Sequence, residues 1–579
     1  MKRKIVSILL AAAMLLSALT VTAFADGEEL AFAGALGNDM VLQRDAEINI
    51  WGTGRKGATV TVKFKDASVS TTVGDDGKWL VKLPRQEKDK NENTLTAASG
   101  SETVTLTGVL VGDVYLLGGQ SNAEKTLSAC GKEYSTEMKK AMIEKNDGMI
   151  RYFTQGRDAA KAKKAYMETP QENPIKGKKW KKETVATAPS FSAMGFFFAH
   201  KIATEADVPV GVIMVASSGS PVSQLMSAEA VKKSGYTRYE NDIPVSGMYN
   251  ALMNPFINMT IKGMLYYQGE SEQGLAKSDY GKYNEYVNIY VEDLREKMNQ
   301  NFPFYYVQLS SHAGDGLKSW SGIGLQRAVQ FDGLKVIKNS GMVVSMDMGY
   351  LPGQTDWAHP DRKQPVGERL AALALARDYG IGTEENNTSP MPEYAYKSDG
   401  GVVVHFTHVA GGLKKLGSQS ELLGFRMLLP NSIMRNVDAK IISENDVFLE
   451  TGNLTGQLKG IGYGLEELAF TDYDEDTKFV ANLGNGSDLP APTFKLQEIL
   501  DKKPAPENTG TETPATDGTV TPAADSTTET AAPNQTPAGA EGRKRNLPVI
   551  LGCIGGAVII AAGVVITLIV LKKKKKSEN

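Results

Sequence analysis

Hydrophobic and polar positions alternate in two different ways along the first two thirds of the chain. Residues 28 to about 108 contain short segments with a period of two, such as EINIWG, TVTVKF and KWLVKL, separated by turn sequences such as DDGK. This spacing predicts a small β-sandwich module over residues 26–108. From residue 109 the apolar runs become longer and alternate with helical stretches, which favours a parallel sheet with helices on both faces.

The parallel sheet is predicted from five apolar runs, each of which ends in a cluster of small or polar residues. The runs are VGDVYLLG, PVGVIMVAS, IKGMLYYQ, PFYYVQLS and GMVVSMD, and the clusters are GQSN, SSGS, GESEQ, SHAGDG and MGYLPGQTD. Parallel sheets bind ligands outside the carboxyl ends of their strands, so we expect these clusters to form one site. The pattern predicts an α/β domain over residues 109–390, and short strands predict a second β-rich module over 391–498.

The two ends of the chain carry targeting signals. Residues 1–25 join a basic start to an apolar run and an Ala-Phe-Ala site, the pattern of a cleaved signal peptide. Residues 547–571 are apolar enough for one membrane helix, and the Lys-rich residues 572–579 would stay in the cytoplasm. Residues 499–546 are rich in Pro, Thr and Ala and predict a disordered stalk. We expect an exported, cell-surface protein whose C-terminal helix anchors it in the membrane with the folded domains outside.

Charge and cysteine content exclude several classes of protein. The chain has 64 Lys+Arg against 67 Asp+Glu, which does not indicate binding to nucleic acid. Of its two cysteines, Cys553 lies in the predicted membrane segment, so no disulfide is expected. Cys130 could be a thiol nucleophile, but a small buried apolar residue is the favoured interpretation.

A metal site is not predicted. Asp472, Asp474 and Asp476 have the opening spacing of a calcium loop, but the sixth position is Thr477 and the twelfth is not glutamate. We therefore expect a solvated acidic loop there, and neither a metal nor an organic cofactor.

The five histidines differ in their surroundings. His405 and His408 lie in a strand pattern, His200 is expected to end a helix, and His312 follows a parallel strand and could line a pocket. His359 follows the last strand, with Asp356 three residues earlier, and Ser121 follows the first strand. A Ser-His-Asp relay needs a carboxylate that orients the imidazole and an imidazole that accepts the serine proton. On these residues alone, a relay and a structural arrangement are equally open.

Several motifs together carry a resemblance to a known family. LLGGQSNAE, YNALMNPF, LYYQGESE and AHPDRKQPVGERLA, with NDMVLQRDAEINIWG before them and HVAGGLKKLG and GFRM after them, resemble the sialate O-acetylesterase family of the SGNH-hydrolase superfamily. The resemblance covers roughly residues 30 to 495. It implies a flavodoxin-like SGNH-hydrolase domain that removes O-acetyl groups from sialic acids on glycans through an acetyl-serine intermediate.

The resemblance also assigns residues. It implies that Ser121 is the nucleophile and His359 the general base. It implies that the oxyanion is held by the amide of Ser121, a small residue of SSGSP, for which we choose Gly219, and the side-chain amide of Gln268. Asn122, Glu124 and Glu270 are expected either to contact the substrate or to brace the GQSN turn.

Two departures from the family pattern leave questions open. The family usually shows SWGGTP where this chain has SSGSP, and D-x-H-P where Asp356 here is three residues before His359. The group that orients His359 is therefore open among Asp356, another acid such as Asp347, and a backbone carbonyl.

Two other functions are compatible with these motifs. Acetyl-xylan or general acetyl-sugar deacetylation uses the same chemistry, and a non-catalytic glycan-binding surface protein is an alternative of a different class. A lipase of the α/β-hydrolase type is disfavoured, because G-Q-S-N-A lacks the second glycine of G-x-S-x-G. The β-modules show no aromatic stripe, so we expect them to brace the catalytic domain.

Overall fold

The computed structural model describes residues 29–505 except 132, 157–163, 241, 312–321, 350–357 and 467–480. The predicted signal peptide, membrane helix and cytoplasmic tail lie outside the described residues, as does most of the predicted stalk. Within the described ranges, every helix falls short of the length or apolarity that a bilayer crossing requires.

The N-terminal module consists of two packed sheets. Its strands are β1 Ala31–Phe32, β2 Val41–Gln43, β3 Ile48–Thr53, β4 Thr59–Phe64, β5 Ala67–Thr72, β6 Lys78–Leu83, β7 Asp89–Ser99 and β8 Glu102–Gly119. One sheet has the order β1-β3-β6, and the other pairs β5, β4, β7 and β8 antiparallel, with β2 parallel beside β8. In β6 every second residue is buried, as the period-two pattern predicts for a sandwich strand.

Strand β8 continues through the predicted boundary at residue 108/109. Near its start Glu102 pairs with Ser99 of β7, whereas near its end Leu116 pairs with Ile213 and Met264 in the parallel sheet. The sandwich and the α/β domain therefore share one strand.

The α/β domain is built on a parallel sheet with one antiparallel edge strand. Besides β8 its strands are β9 Ile150–Thr154, β10 Trp180–Lys182, β11 Val210–Met214, β12 Gly263–Tyr267, β13 Phe304–Gln308 and β14 Ser340–Val344. Their order is β10-β9-β11-β8-β12-β13-β14, and only β10 is antiparallel to its neighbour in this row. The order β11-β8-β12-β13-β14 is the 2-1-3-4-5 order of flavodoxin-like sheets, with β9 added beyond β11. All five predicted strands are confirmed.

Helices cover both faces of this sheet. They are α1 Ser121–Glu124, α2 Thr136–Lys145, α3 Ala165–Glu168, α4 Ala193–Ala206, α5 Val222–Leu225, α6 Ala228–Ser234, α7 Leu275–Ser278, α8 Lys282–Met298, α9 Ile323–Val336, α10 Gln364–Ala374 and α11 Glu384–Asn387. Side chains of α4 and α10 share a buried cluster with Leu117 and Leu265, whereas those of α8 and α9 share another with Leu116 and Met264. Successive residues of a strand therefore point to opposite faces of the sheet, and both faces are buried beneath helices. This explains why the strand sequences are continuous apolar runs.

The C-terminal module is β-rich, as predicted. Its strands are β15 Met391–Ser398, β16 Gly401–Thr407, β17 Leu413–Lys415, β18 Phe425–Leu428, β19 Met434–Asn436, β20 Ala439–Ile441, β21 Asp446–Leu449, β22 Gly460–Tyr463, β23 Leu483–Asn485 and β24 Phe494–Leu496. They form antiparallel sheets with the orders β15-β16-β21-β20, β17-β23 and β19-β18-β22-β24.

Candidate active site

The GQSN turn carries Ser121 out of the sheet at the carboxyl end of β8. Gly119 pairs with Tyr267 of β12 and has a φ of 121°. A Cβ atom on Gly119 would lie 2.1 Å from the carbonyl oxygen of Tyr267, so this position excludes any side chain. The amide of Gln120 then donates to the same carbonyl oxygen at 2.9 Å, and Ser121 begins α1.

Ser121 and His359 are brought together from opposite ends of the domain sequence. The Nε2 atom of His359 lies 2.6 Å from Oγ of Ser121, and both side chains are half-buried. This distance is within the range at which an imidazole can accept a hydroxyl proton. The geometry therefore allows the predicted roles of Ser121 as nucleophile and His359 as its base.

The loop that carries His359 is fixed by side chains from the nucleophile region. The side-chain amide of Asn122 donates to the carbonyl oxygen of Ala358 at 3.0 Å, and Nζ of Lys125 donates to that of His359 at 2.7 Å. Lys125 also lies 2.7 Å from the carboxylate of Asp361. These contacts hold the backbone before and after the imidazole and so fix the position of the His359 Cα atom.

Asn122 and Glu270 form a buried contact beneath the turn. Nδ2 of Asn122 donates to Oε1 of Glu270 at 2.5 Å, and both side chains are buried. Burial raises the pKa of Glu270, whereas the Asn122 hydrogen bond and the charges of His359 and Lys363 act in the opposite direction. Of the two predicted roles, these contacts favour bracing of the GQSN turn.

Glu124 holds the loop that follows β11. Its Oε2 accepts hydrogen bonds from the amide and the hydroxyl of Ser218, at 2.9 and 2.7 Å. The next residue, Gly219, has a φ of 69°, a conformation that favours glycine. Glu124 thus links the nucleophile helix to the predicted oxyanion loop, and the role of Gly219 as a donor stays a prediction.

Gln268 lies beside the turn, but its amide is already used. The side chain is 1% exposed, and Nε2 donates to the carboxylate of Glu272 and, at 3.3 Å, to the carbonyl oxygen of Ser220. An amide nitrogen has two hydrogens, so donation to an oxyanion would require one of these bonds to break. In this arrangement Gln268 braces the loop that contains Gly219.

Glu272 ties this arrangement to the start of α5. Its Oε1 accepts from the amide of Val222 at 2.6 Å. Burial raises the pKa of Glu272 to about 7, against the hydrogen bonds from Val222 and Gln268.

The orienting partner of His359 is not decided by the described residues. Asp356 and His312 lie outside them, so their roles stay predictions. The alternative Asp347 makes a bidentate contact with Arg369 of α10, at 2.7 Å for both oxygens, so its carboxylate belongs to another ion pair. The acidic stretch with Asp472 also lies outside the described residues.

Residues 111–376 match the family model described as carbohydrate esterase, sialic acid-specific acetylesterase. These residues make up most of the α/β domain. This part of the chain belongs to that family. The acetylesterase domain thus starts within β8 and ends just after α10.

Curated relatives and a solved structure extend the likeness beyond this domain. The sialate O-acetylesterase of Homo sapiens is 28% identical over 403 residues, which are 62% of this chain and 73% of the human protein. That of Rattus norvegicus is 26% identical over 427 residues, covering 62% and 76%. The crystal structure of a carbohydrate acetylesterase from Xanthomonas citri, 25% identical, has a TM-score of 0.66 and covers 80% of this chain and 99% of that chain.

The prediction for His200 is wrong, whereas the prediction for Cys130 is confirmed. His200 does not end a helix, because α4 continues to Ala206, and its Nε2 lies 2.9 Å from the carboxylate of Glu183 in the core. Cys130 is buried as predicted, and burial raises the pKa of its thiol to about 11, which opposes thiolate chemistry.

Sequence reasoning missed the basic and acidic side chains that support the site. Lys125, Glu272 and Lys363 are not singled out by the motif comparison, although each lies within five residues of a predicted site residue. The available signal was the placement of charged residues inside otherwise small or apolar motifs, as in AHPDRKQPVG.

Proposed function

We propose that the acetylesterase domain is a serine esterase that removes O-acetyl groups from sialic acids on glycans. The observation that carries the proposal is the 2.6 Å contact between Ser121 Oγ and His359 Nε2 at the carboxyl edge of the parallel sheet. The family match and the sialate O-acetylesterase relatives support the choice of substrate.

The reaction begins with acyl transfer to the enzyme. Oγ of Ser121 attacks the acetyl carbonyl carbon while Nε2 of His359 takes the hydroxyl proton. The tetrahedral intermediate then collapses, the ester C–O bond to the sugar breaks, and His359 returns the proton to the sugar oxygen. The products of this half-reaction are the deacetylated sugar and acetyl-Ser121.

The negative oxygen of the intermediate needs hydrogen-bond donors. We assign this role to the amides of Ser121 and Gly219, with Gln268 as a third donor if its amide exchanges a partner. Glu124 and Glu272 support this assignment, because they hold the Ser218 and Val222 amides of the loop on either side of Gly219. Each oriented donor contributes roughly 3 to 4 kcal/mol to such an intermediate.

Water completes the cycle in the second half-reaction. His359 takes a proton from a water molecule, the resulting hydroxide attacks the acetyl carbon, and the acyl C–O bond to Ser121 breaks. The proton passes from His359 to Oγ of Ser121, and acetate leaves. The proposed mechanism uses no metal or organic cofactor.

A second candidate is an esterase for acetylated neutral sugars such as xylan. The Xanthomonas citri protein is described as a carbohydrate acetylesterase with no particular sugar named, and its likeness covers 80% of this chain. The chemistry at Ser121 would be the same, and only the sugar pocket would differ.

Acetate release from two substrates tests the proposal and separates the candidates. The full chain, Ser121→Ala and the control Ser128→Ala, at an exposed serine near the turn, would be compared on O-acetylated sialoglycans and acetylated xylan. We expect release from sialoglycans by the full chain and by Ser128→Ala but not by Ser121→Ala. Release from xylan alone would favour the second candidate. Tight glycan binding with no release from either substrate would favour a non-catalytic surface protein.

We also propose that the protein is exported and held at the cell surface by residues 547–571, with residues 499–546 as a stalk. The basic and apolar residues of 1–25 and the apolar run of 547–571 support this proposal. Cell fractionation of the full chain and of a variant that ends at residue 546 tests it. We expect only the full chain in the membrane fraction.

A further inference from the structure

Lys363 is a basic side chain buried behind the catalytic pair, four residues after His359. It is 1% exposed and immediately precedes α10. Its Nζ lies 2.6 Å from Oδ1 of Asn122 and 5.3 Å from the ring centroid of Tyr267. A buried ammonium group is costly unless it is hydrogen-bonded or paired, and the side-chain oxygen of Asn122 is its acceptor here.

Asn122 connects Lys363 to both members of the catalytic pair. It directly follows Ser121, and its Nδ2 donates to Glu270 at 2.5 Å and to the carbonyl oxygen of Ala358, the residue before His359, at 3.0 Å. With Lys363 on its Oδ1, Asn122 uses both amide hydrogens and its oxygen. One side chain thus joins the nucleophile turn to the histidine loop.

Lys363 helps to fix the orientation of Asn122. An amide can be turned over in its plane, which exchanges its oxygen and nitrogen. The ammonium of Lys363 can only donate and the carbonyl oxygen of Ala358 can only accept, so both favour the orientation in which Nδ2 faces Glu270 and Ala358. Without that donor, the two contacts of Nδ2 would rest on Glu270 and Ala358 alone.

We propose that Lys363 is a positioning residue of the esterase reaction, which acts through Asn122 to hold Ser121 and His359 at hydrogen-bond distance. This inference rests on the proposed function. Lys363 reaches neither the substrate nor the reacting atoms in this role. Its contribution is to kcat, because a displacement of about 1 Å between reacting groups can lower a rate roughly 100-fold.

The surroundings of Lys363 make this role dependent on pH. The titratable groups that face it are Lys125, Cys130, Glu270 and Asp361. Burial lowers the pKa of Lys363 to about 7, and the charge of Lys125 acts in the same direction. The ammonium form is therefore present below about pH 7 and is lost as pH rises. Because the neutral amine is a weaker donor, kcat should fall on the alkaline side.

The test compares the full chain with Lys363→Met, Lys363→Arg and the control Lys140→Met, which changes an exposed lysine of α2. For Lys363→Met we expect kcat for acetate release to fall roughly 10- to 100-fold with KM within twofold. The alkaline fall in kcat should disappear in Lys363→Met, while Lys363→Arg should move it to higher pH. Unchanged kcat and an unchanged pH profile in Lys363→Met would overturn the proposal, as would a loss of activity whose residual profile keeps the alkaline fall.

A fluorophosphonate probe separates this inference from the choice of substrate. Oγ of Ser121 displaces fluoride from phosphorus, and His359 takes its proton, so the labelling rate reports the pair without any sugar. Labelling that depends on Lys363 and on pH, with no acetate release, would support positioning and reject the proposed substrate. If Lys363→Met does not fold, the labelling rate of the unaltered chain between pH 6 and 9 decides, and a rate that does not fall above about pH 7 would overturn the inference.

Discussion

His359 in the acetylesterase domain and His405 in the C-terminal module make equally short side-chain contacts. His359 Nε2 lies 2.6 Å from the hydroxyl of Ser121, and His405 Nδ1 lies 2.6 Å from the carboxylate of Asp446. His405 and Asp446 are paired across antiparallel strands, and His405 stacks on Tyr394 with ring centroids 4.8 Å apart. The pair in the C-terminal module is a cross-strand contact, whereas the pair in the acetylesterase domain joins the first residue of α1 to the loop before α10, at the carboxyl end of the parallel sheet. A histidine beside a carboxylate is therefore not by itself a sign of catalysis.

The sharpest test of this comparison is the same substitution at both histidines. His359→Gln should lower kcat for acetate release by roughly 10⁴-fold or more, because the serine loses its base. His405→Gln should leave kcat within twofold. Both variants would be assayed beside the unaltered chain, with thermal unfolding to confirm folding. An equal loss in His405→Gln at unchanged stability would contradict the distinction.

A smaller effect is expected for the contact between Glu124 and Ser218, which holds the proposed oxyanion loop. Glu124→Gln removes the charge from the acceptor of two hydrogen bonds from Ser218. Charge-assisted hydrogen bonds are about twice as strong as neutral ones, so the loop should be held less firmly in the variant. We expect kcat to fall roughly tenfold, with KM nearly constant. Asp446→Asn is the matched control in the C-terminal module, and an equal loss of kcat there would mean that Glu124 has no special role.

The free energy of unfolding should depend on pH because of Glu272. Its raised pKa, about 7, means that the folded protein binds the proton more tightly than the unfolded chain does. The resulting stabilisation is fully present below about pH 4.5 and is lost as pH rises to about 7. Glu272→Gln does not titrate, so its stability relative to the unaltered chain should rise by roughly 2 to 3 kcal/mol across this window, since one pKa unit corresponds to about 1.4 kcal/mol.

Chemical unfolding at several pH values between 4.5 and 7 would measure this difference. The control is Glu285→Gln, at an exposed position of α8, which should show no such trend. A constant difference between Glu272→Gln and the unaltered chain would contradict the expected burial of a titrating carboxyl group.

The smallest effect is expected at Asp446. Burial acts to raise the pKa of Asp446, but the hydrogen bonds from His405 and Ser443 and the nearby charge of Lys503 leave it lowered. This stabilisation is present above the ordinary aspartate pKa and is lost as pH falls through the lowered one. Asp446→Asn should reduce the free energy of unfolding by about 0.5 to 1 kcal/mol at neutral pH and by less in acid. A larger loss in acid than at neutral pH would contradict this sign.

Much of the fold could be predicted from the sequence because period and length are local properties. The alternating segments before residue 108 and the long runs after it become the sandwich and the parallel sheet. The prediction that a helix ends at His200 was wrong, because the residues that surround its side chain are distant in the sequence. A basic residue after FFFA suggests a boundary, but α4 continues to Ala206, and the ring of His200 is buried beside Asn146 and Glu183.

The site was predicted less completely, because its supporting contacts join distant parts of the chain. Ser121 and His359 carry motif signals, and the structure brings them together. Lys363 lies inside a motif, but the motif does not reveal its partner, since its contact with Asn122 spans 241 residues and depends on how the histidine loop folds back. Gln268 carries a motif signal, but its partners Glu272 and Ser220 decide where its amide points.

The shared strand β8 limits how this protein could have been assembled or could be re-engineered. Recombination of genes at residue 108/109 would cut the strand whose last residues carry the nucleophile turn. A foreign sandwich could replace the N-terminal module only if its final strand continued into the parallel sheet in the same register. The catalytic unit to transplant is therefore the sandwich and the α/β domain together.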